Sequence, residues 1–213
     1  PRPRVRCGFC DQAMHLVAGR TEDTVGHFAH LPNSGFCPTK APSALPYGRL
    51  KPRNPDPEGA KRIRQEAMDN WRWVYAMVKK NVPAFQPTEF VALIKAADED
   101  GLWGYRNLTL QQVPELLLVS RDFTPATSPT RLYWFRFWFS ANIQRLEDLW
   151  IQSPGSVTLH RASFPRPKAR QKIPVPEHMI AQKNIERTAP PHNTQIFISD
   201  RDSKTICEGL KVK

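Results

Sequence analysis

The chain has 213 residues, 31 Lys and Arg against 20 Asp and Glu, a formal net charge of +11 and 40% hydrophobic residues, enough for one sizeable core with a small appended module. No apolar run approaches the length of a membrane span and no charged-then-apolar leader precedes a small-residue cleavage site, which predicts a soluble, cytoplasmic protein. Twenty-one prolines against ten glycines predict that much of the chain is extended or irregular, because proline fixes φ and donates no ladder hydrogen bond.

The first forty residues hold three of the four cysteines and three of the six histidines. Cys7-Gly8-Phe9-Cys10 is followed after sixteen residues by His27-Phe28-Ala29-His30, and after six more by Cys37. Two cysteines separated by two residues sit on one tight turn, and a second ligand pair arriving after a short excursion closes a tetrahedron. The pattern predicts a zinc module over residues 1–40 with ligands Cys7, Cys10, His30 and Cys37, and with His27 as the alternative to His30. A disulfide or redox dithiol is the competing reading. A redox pair normally opens a helix in a βαβ unit, which Arg4-Val5-Arg6 does not announce. Few large side chains lie between Met14 and Val25, so a module of this size needs a staple. Cys207, left single, fits a reducing compartment.

Cys7-x2-Cys10, the His27-Phe28-Ala29-His30 sequence and Cys37 together resemble the amino-terminal zinc module of CoiA-like competence proteins, over residues 5–40 only. The resemblance implies a role in handling incoming DNA and a restriction-like nuclease domain. Such a nuclease needs an acidic residue on one strand and Glu-x-Lys or a close variant on the next, to hold a metal and activate water. No Glu-x-Lys occurs in the chain; the loose variant Asp200-x-Asp202-x-Lys204 reads more naturally as a turn.

A proline-rich basic linker is predicted over residues 41–55. Asp56-Pro57-Glu58 then has the form of a helix start, with an Asp N-cap, proline at the first helical position and an acid in the first turn. Ala60, Ile63, Ala67, Trp71, Val74, Tyr75 and Val78 follow at the spacing of one helical face. A second helix is predicted from Thr88 to Asp98, stopping at Gly101. The acidic run Asp98-Glu99-Asp100 reads as a solvated turn, its carboxylates pointing apart.

From Leu108 the pattern predicts strands. Leu116-Leu117-Leu118-Val119 within 115–120 is a continuous apolar run expected of a strand covered on both faces. In 132–139, Tyr133, Phe135, Phe137 and Phe139 alternate with Trp134 and Trp138; this reads as a buried strand, with a base-stacking platform as the alternative. Further strands are expected at 146–151 and 157–164, a short helix at 177–187, and a closing hairpin pairing 194–199 with 205–210. The fold class is therefore α+β: a small amino-terminal zinc module, a mixed core domain over 56–164 with two or three helices and a mainly antiparallel sheet, and a Pro-rich basic segment over 165–213.

Charge is unevenly divided. Residues 1–54 carry eight Lys and Arg against three Asp and Glu, residues 55–160 twelve against twelve, and residues 161–213 eleven against five. A neutral core with two basic ends predicts a polyanion-binding protein. The candidate contacts are Arg2, Arg4, Arg6, Arg20, Arg49, Lys51 and Arg53 at one end and Arg166, Lys168, Arg170 and Lys172 at the other. The reading that follows is a non-catalytic, zinc-stapled nucleic-acid-binding protein, contacting DNA rather than RNA. It would serve with other protein subunits in a nucleoprotein complex against foreign or mobile DNA, for instance as a large-subunit-like component of an RNA-guided CRISPR-type interference complex. The alternatives are a CoiA-like metal-dependent nuclease and a protein-interaction scaffold. No Gly-rich phosphate loop or nucleophile elbow is present.

Overall fold

The computed structural model describes residues 5–7, 10–17, 26–34, 37, 47, 50–125, 131–140, 143, 145–152, 157–166, 181–185 and 196–212. Among them it has five α-helices, a two-stranded and a three-stranded antiparallel sheet, an α+β architecture. None of these helices is long and apolar enough to cross a membrane.

Helix α1 (Pro57–Asp69) starts where the sequence places it. The Asp56 carboxylate accepts from the Gly59 backbone N–H at 3.0 Å, with proline in the first turn. The apolar face predicted to run unbroken through Val78 is instead split into α1 and α2 (Trp71–Asn81). Asn70 supplies the break: its side-chain amide donates to the Glu66 carbonyl at 2.8 Å, alongside its own backbone N–H at 3.1 Å. A short amide competing locally for the helical carbonyl is a common way for asparagine to end a helix. Both pieces still bury one face, with Ile63, Ala67 and Met68 from α1 and Trp71, Val74, Tyr75 and Val78 from α2. Each such large side chain contributes roughly 1.5–3 kcal/mol on leaving water.

Helix α3 (Pro87–Glu99) matches the second predicted helix, its start held by Glu89 accepting from the Gln86 backbone N–H at 2.9 Å. The acidic run at its end is engaged: Asp98 accepts from Arg64 and from Trp103 Nε1, and Asp100 from Arg121.

Residues 115–120 are not a strand. They belong to α4 (Val113–Ser120), in which every residue is buried. A continuous apolar run fits a helix buried all round as well as a doubly covered strand. What decides is the start: Thr109 N–H donates to Gln112 Oε1 at 3.1 Å, and Pro114 follows in the first turn.

The three-stranded sheet runs in the order β3 (Tyr133–Phe139), β4 (Leu159–Pro165), β5 (Ala181–Ile185). Phe135, Phe137, Phe139 and Leu159 join the helices in the main core. The opposite face carries Trp134, Trp138, Ala162 and Phe164, which cluster separately. The aromatic strand is thus buried on both faces over most of its length. Arg136 on that second face is buried and forms a bidentate pair with Asp122. On the first face Arg161 lies over the Phe135 ring and donates to the Asn81 carbonyl at 2.8 Å, tying the sheet to the end of α2.

Three further expectations are corrected. Residues 146–150 form a 3-10 turn and not a strand, because Asp148 accepts from the Arg145 backbone N–H at 2.9 Å and folds the segment on itself. Residues 181–185 of the expected 177–187 helix are strand β5, where pairing with β4 sets Ile185 opposite Leu159 and overrides local propensity; the rest of that span lies outside the described residues. The hairpin expected around Asp200–Ser203 is helix α5 (Asp200–Leu210), because Ser199 Oγ accepts from the Asp202 N–H at 3.1 Å and caps it. With α2 and α4, these changes raise the helix count above the two or three expected.

Helix α5 lies against α3 so closely that a Cβ on Gly209 would meet Val91 Cγ2 at 2.7 Å. Ile206 enters the main core, and Lys79 of α2 pairs with Asp202. Of the predicted linker, Tyr47 is buried with its hydroxyl oxygen accepting from the Phe139 N–H at 2.9 Å, and the Leu50 carbonyl accepts from the Tyr105 hydroxyl at 2.6 Å. The linker is therefore pinned to the core at these points. Burial pushes the Tyr47 phenol well above its usual range.

Candidate metal centre

The amino-terminal module is built on backbone pairing. The Cys7 N–H donates to the Gln12 carbonyl, the Met14 N–H to the Val5 carbonyl and the Asp11 N–H to the Cys7 carbonyl, each at 2.9 Å. These bonds hold Asp11 and Gln12 against Cys7, with Asp11 in the left-handed region at φ 55°, which aspartate tolerates better than most residues. Arg6 stands opposite Ala13. The hairpin of β1 (Met14–Val17) and β2 (His27–His30) then pairs Met14 with His30. It thereby brings a residue far along the chain beside the knuckle. A turn through Asn33, with the Ser34 N–H on the Leu31 carbonyl, leads back towards Cys37.

These four residues converge. One donor atom from each of Cys7, Cys10, His30 and Cys37 lies within 4.8 Å of every other. Cys7 Sγ is 3.7 Å from Cys37 Sγ, and Cys10 Sγ is 3.2 Å from His30 Nε2. A sulfur separation of 3.7 Å is far beyond a covalent disulfide and close to the edge, roughly 3.8 Å, of a tetrahedron with metal–sulfur bonds of about 2.3 Å. Hydrogen bonding with Cys37 lowers the Cys10 thiol from 9.0 to about 4. Burial opposes this, while the Gln12 backbone and His30 act with Cys37. Thiolate is the form that binds metal. Three sulfurs and an imidazole nitrogen at these distances can hold a metal ion. His27 lies exposed on β2, outside the cluster.

The negative charge of Cys10 is also felt at His160 of β4, which stacks on Trp138 with ring centres 5.6 Å apart. His160 Nδ1 is 2.9 Å from Asn184 Oδ1 on β5. Burial keeps its pKa below 6.5, against the upward pulls of Asn184 and Cys10.

Of the predicted polyanion contacts, Arg6, Lys51, Arg53 and Arg166 are described and exposed; Arg2, Arg4, Arg20, Arg49, Lys168, Arg170 and Lys172 lie outside the described residues. Arg6 reaches both the carboxylate and the carbonyl of Asp11, at 3.2 and 2.5 Å. The nearest approach to a nuclease motif, Asp200, Asp202 and Lys204, occupies the first turn of α5. There Asp202 pairs with Lys79, and Lys204 reaches Glu208. That arrangement serves a helix start and its docking. Gln12, which stabilises the Cys10 thiolate from two residues further along the chain, carried no signal in the sequence.

A family model described as a domain of unknown function (DUF7830) matches residues 1–44, spanning all four clustered residues. No curated protein and no solved structure gives a significant match.

Proposed function

We propose that the protein is a non-catalytic nucleic-acid-binding protein whose amino-terminal module is stapled by zinc, and that it is a DNA-contacting subunit of a nucleoprotein complex handling foreign or mobile DNA. The convergence of Cys7, Cys10, His30 and Cys37 within 4.8 Å carries this reading, because it falls in the basic first segment of the chain. Three thiolates and one imidazole with no open position suit structural zinc, and leave no coordination site for substrate. The flanking charge, eight basic against three acidic residues over 1–54 and eleven against five over 161–213, supports phosphate contact from both ends of a neutral core.

The test combines metal content with salt dependence. Purified protein is expected to carry one zinc per chain and to bind labelled DNA with an affinity that falls linearly on a log–log salt plot. A flat salt response sinks the reading. Magnesium or manganese is expected to leave the DNA uncut while binding persists. Co-purification with RNA and further protein subunits would support the narrower reading of a large-subunit-like component of an RNA-guided interference complex.

A further inference from the structure

We infer that the metal centre is a peroxide-operated switch, in which Cys10 is the sulfur oxidised and Cys37 the one that closes a disulfide with it, releasing the ion. The inference rests on the metal reading above and adds the regulation of that site to it.

The three sulfurs differ in what can reach them. Cys7 and Cys37 are buried, at 5% and 0% exposure, whereas Cys10 is only partly covered. Metal binding holds a coordinated sulfur as thiolate, the nucleophilic form. A hydroperoxide arriving from water therefore meets one reactive sulfur of the cluster, Cys10. An oxidised sulfur becomes a reversible switch when a second thiol stands beside it. Cys37 fills that place: its side chain hydrogen-bonds with Cys10, and its Sγ is 3.7 Å from that of Cys7, so it touches both other sulfurs. Cys207 lies on α5, outside the cluster.

The chemistry balances with hydrogen peroxide as oxidant. Cys10 Sγ attacks one peroxide oxygen: the S–O bond forms, the O–O bond breaks, and two electrons pass from sulfur to the departing hydroxide, which takes up a proton as water. Cys37 Sγ then attacks Cys10 Sγ; the S–S bond forms, the S–O bond breaks, and a second hydroxide leaves as water. Both sulfurs are thereby lost as ligands. Cys7 and His30 remain, two donors where a structural site needs four. His30 is the ligand carried by the hairpin, on β2 opposite Met14, while the new bond joins the knuckle to Cys37. Oxidation thus cuts the link between knuckle and hairpin that runs through His30.

The experiment uses the full chain in its metal-loaded form, treated with hydrogen peroxide in slight excess. One ion per chain is expected to appear on a chromogenic chelator, with the protein lighter by two hydrogens. After alkylation and proteolysis, Cys10 and Cys37 should be recovered linked to each other, with Cys7 and Cys207 alkylated. Dithiothreitol with added zinc should restore the ion. Cys10→His, which keeps four donors and removes the exposed sulfur, should retain metal in the same peroxide, and Cys207→Ser should behave as the unaltered protein. The disulfide map of the unaltered protein decides even where Cys10→His does not load. Metal-loaded protein that keeps its ion in peroxide, or loses it with Cys7 in the disulfide, overturns the inference and spares the metal reading; protein that never holds an ion overturns both.

Discussion

Arg131 and Glu89 form a bidentate ion pair that joins the approach to β3 to the first turn of α3. Arg131 Nη1 donates to Glu89 Oε2 at 3.0 Å, Nη2 to Oε1, and Nε to the Thr124 carbonyl at 2.8 Å. The Arg131 side chain is only 3% exposed, against 32% for Glu89, so removing the carboxylate leaves a buried cation with one carbonyl for company. Glu89→Ala is expected to cost about 3 kcal/mol, part of it from the lost bond to the Gln86 N–H. Replacing both residues by leucine should cost clearly less than the single change. Urea unfolding of the two variants decides it; equal stabilities would mean that the pair is no more than a surface contact.

Metal removal should act locally. A chelator is expected to release the ion, unfold the hairpin and leave the helices α1 to α4 intact, because their core is built without any of the four ligands. Amide exchange resolves this: protection should vanish across residues 12–17 and 27–31 and persist in α3 and α4. His30→Ala should abolish metal retention, while His27→Ala should keep it.

The stability contributed by His160 should depend on pH in one direction. Burial holds its folded pKa below the ordinary 6.5, so the unfolded chain takes up the proton first. Its contribution is present above 6.5 and is lost as pH falls through the folded value. Compared with His160→Gln at constant metal loading, the unaltered protein should lose more melting temperature between pH 7.5 and about pH 5. Parallel curves for the two proteins would show that the ring is no more costly to protonate when folded.

The contact of α5 with α3 gives a sign test. A methyl on Gly209 would meet Val91 at 2.7 and 2.8 Å, an overpacking cost of about 1–3 kcal/mol set against a helix-propensity gain of up to about 1 kcal/mol. Gly209→Ala alone should therefore destabilise. In a Val91→Ala background both methyl clashes are gone, only the 3.3 Å approach to the residue 91 Cβ remains, and the same change should stabilise. A like sign in both backgrounds would show that α5 has room to shift.

What could be read in advance tracks where the information lies along the chain. The knuckle, the cap at Asp56, the helix beginning near Thr88 and the aromatic strand were legible because each is written within a few residues. Helix α4 was not, since Leu116 to Val119 satisfies both a buried strand and a buried helix, and what decides lies upstream of the run, at Thr109, Gln112 and Pro114. Helix α5 was misread because Asp200 and Asp202 serve a turn and a first helical turn equally well; the choice lies with Ser199 and with the space that Gly209 leaves for Val91. Strand β5 has polar residues at Gln182, Lys183 and Asn184 and exists through its partner. In the metal cluster, choosing His30 over His27 needed the hairpin register, which places His30 opposite Met14 and His27 opposite Val17.

The four ligands are unequally sheltered. Cys7 and Cys37 are buried, at 5% and 0% exposure, while Cys10 and His30 are each only partly covered. Competing thiols, chelators and oxidants therefore reach an ion held there from the Cys10–His30 side, and that edge opens first when the ion is exchanged. The deep pair gives up its hold last, which makes the rate of metal loss a property of the surface around Cys10 while the equilibrium affinity belongs to all four residues.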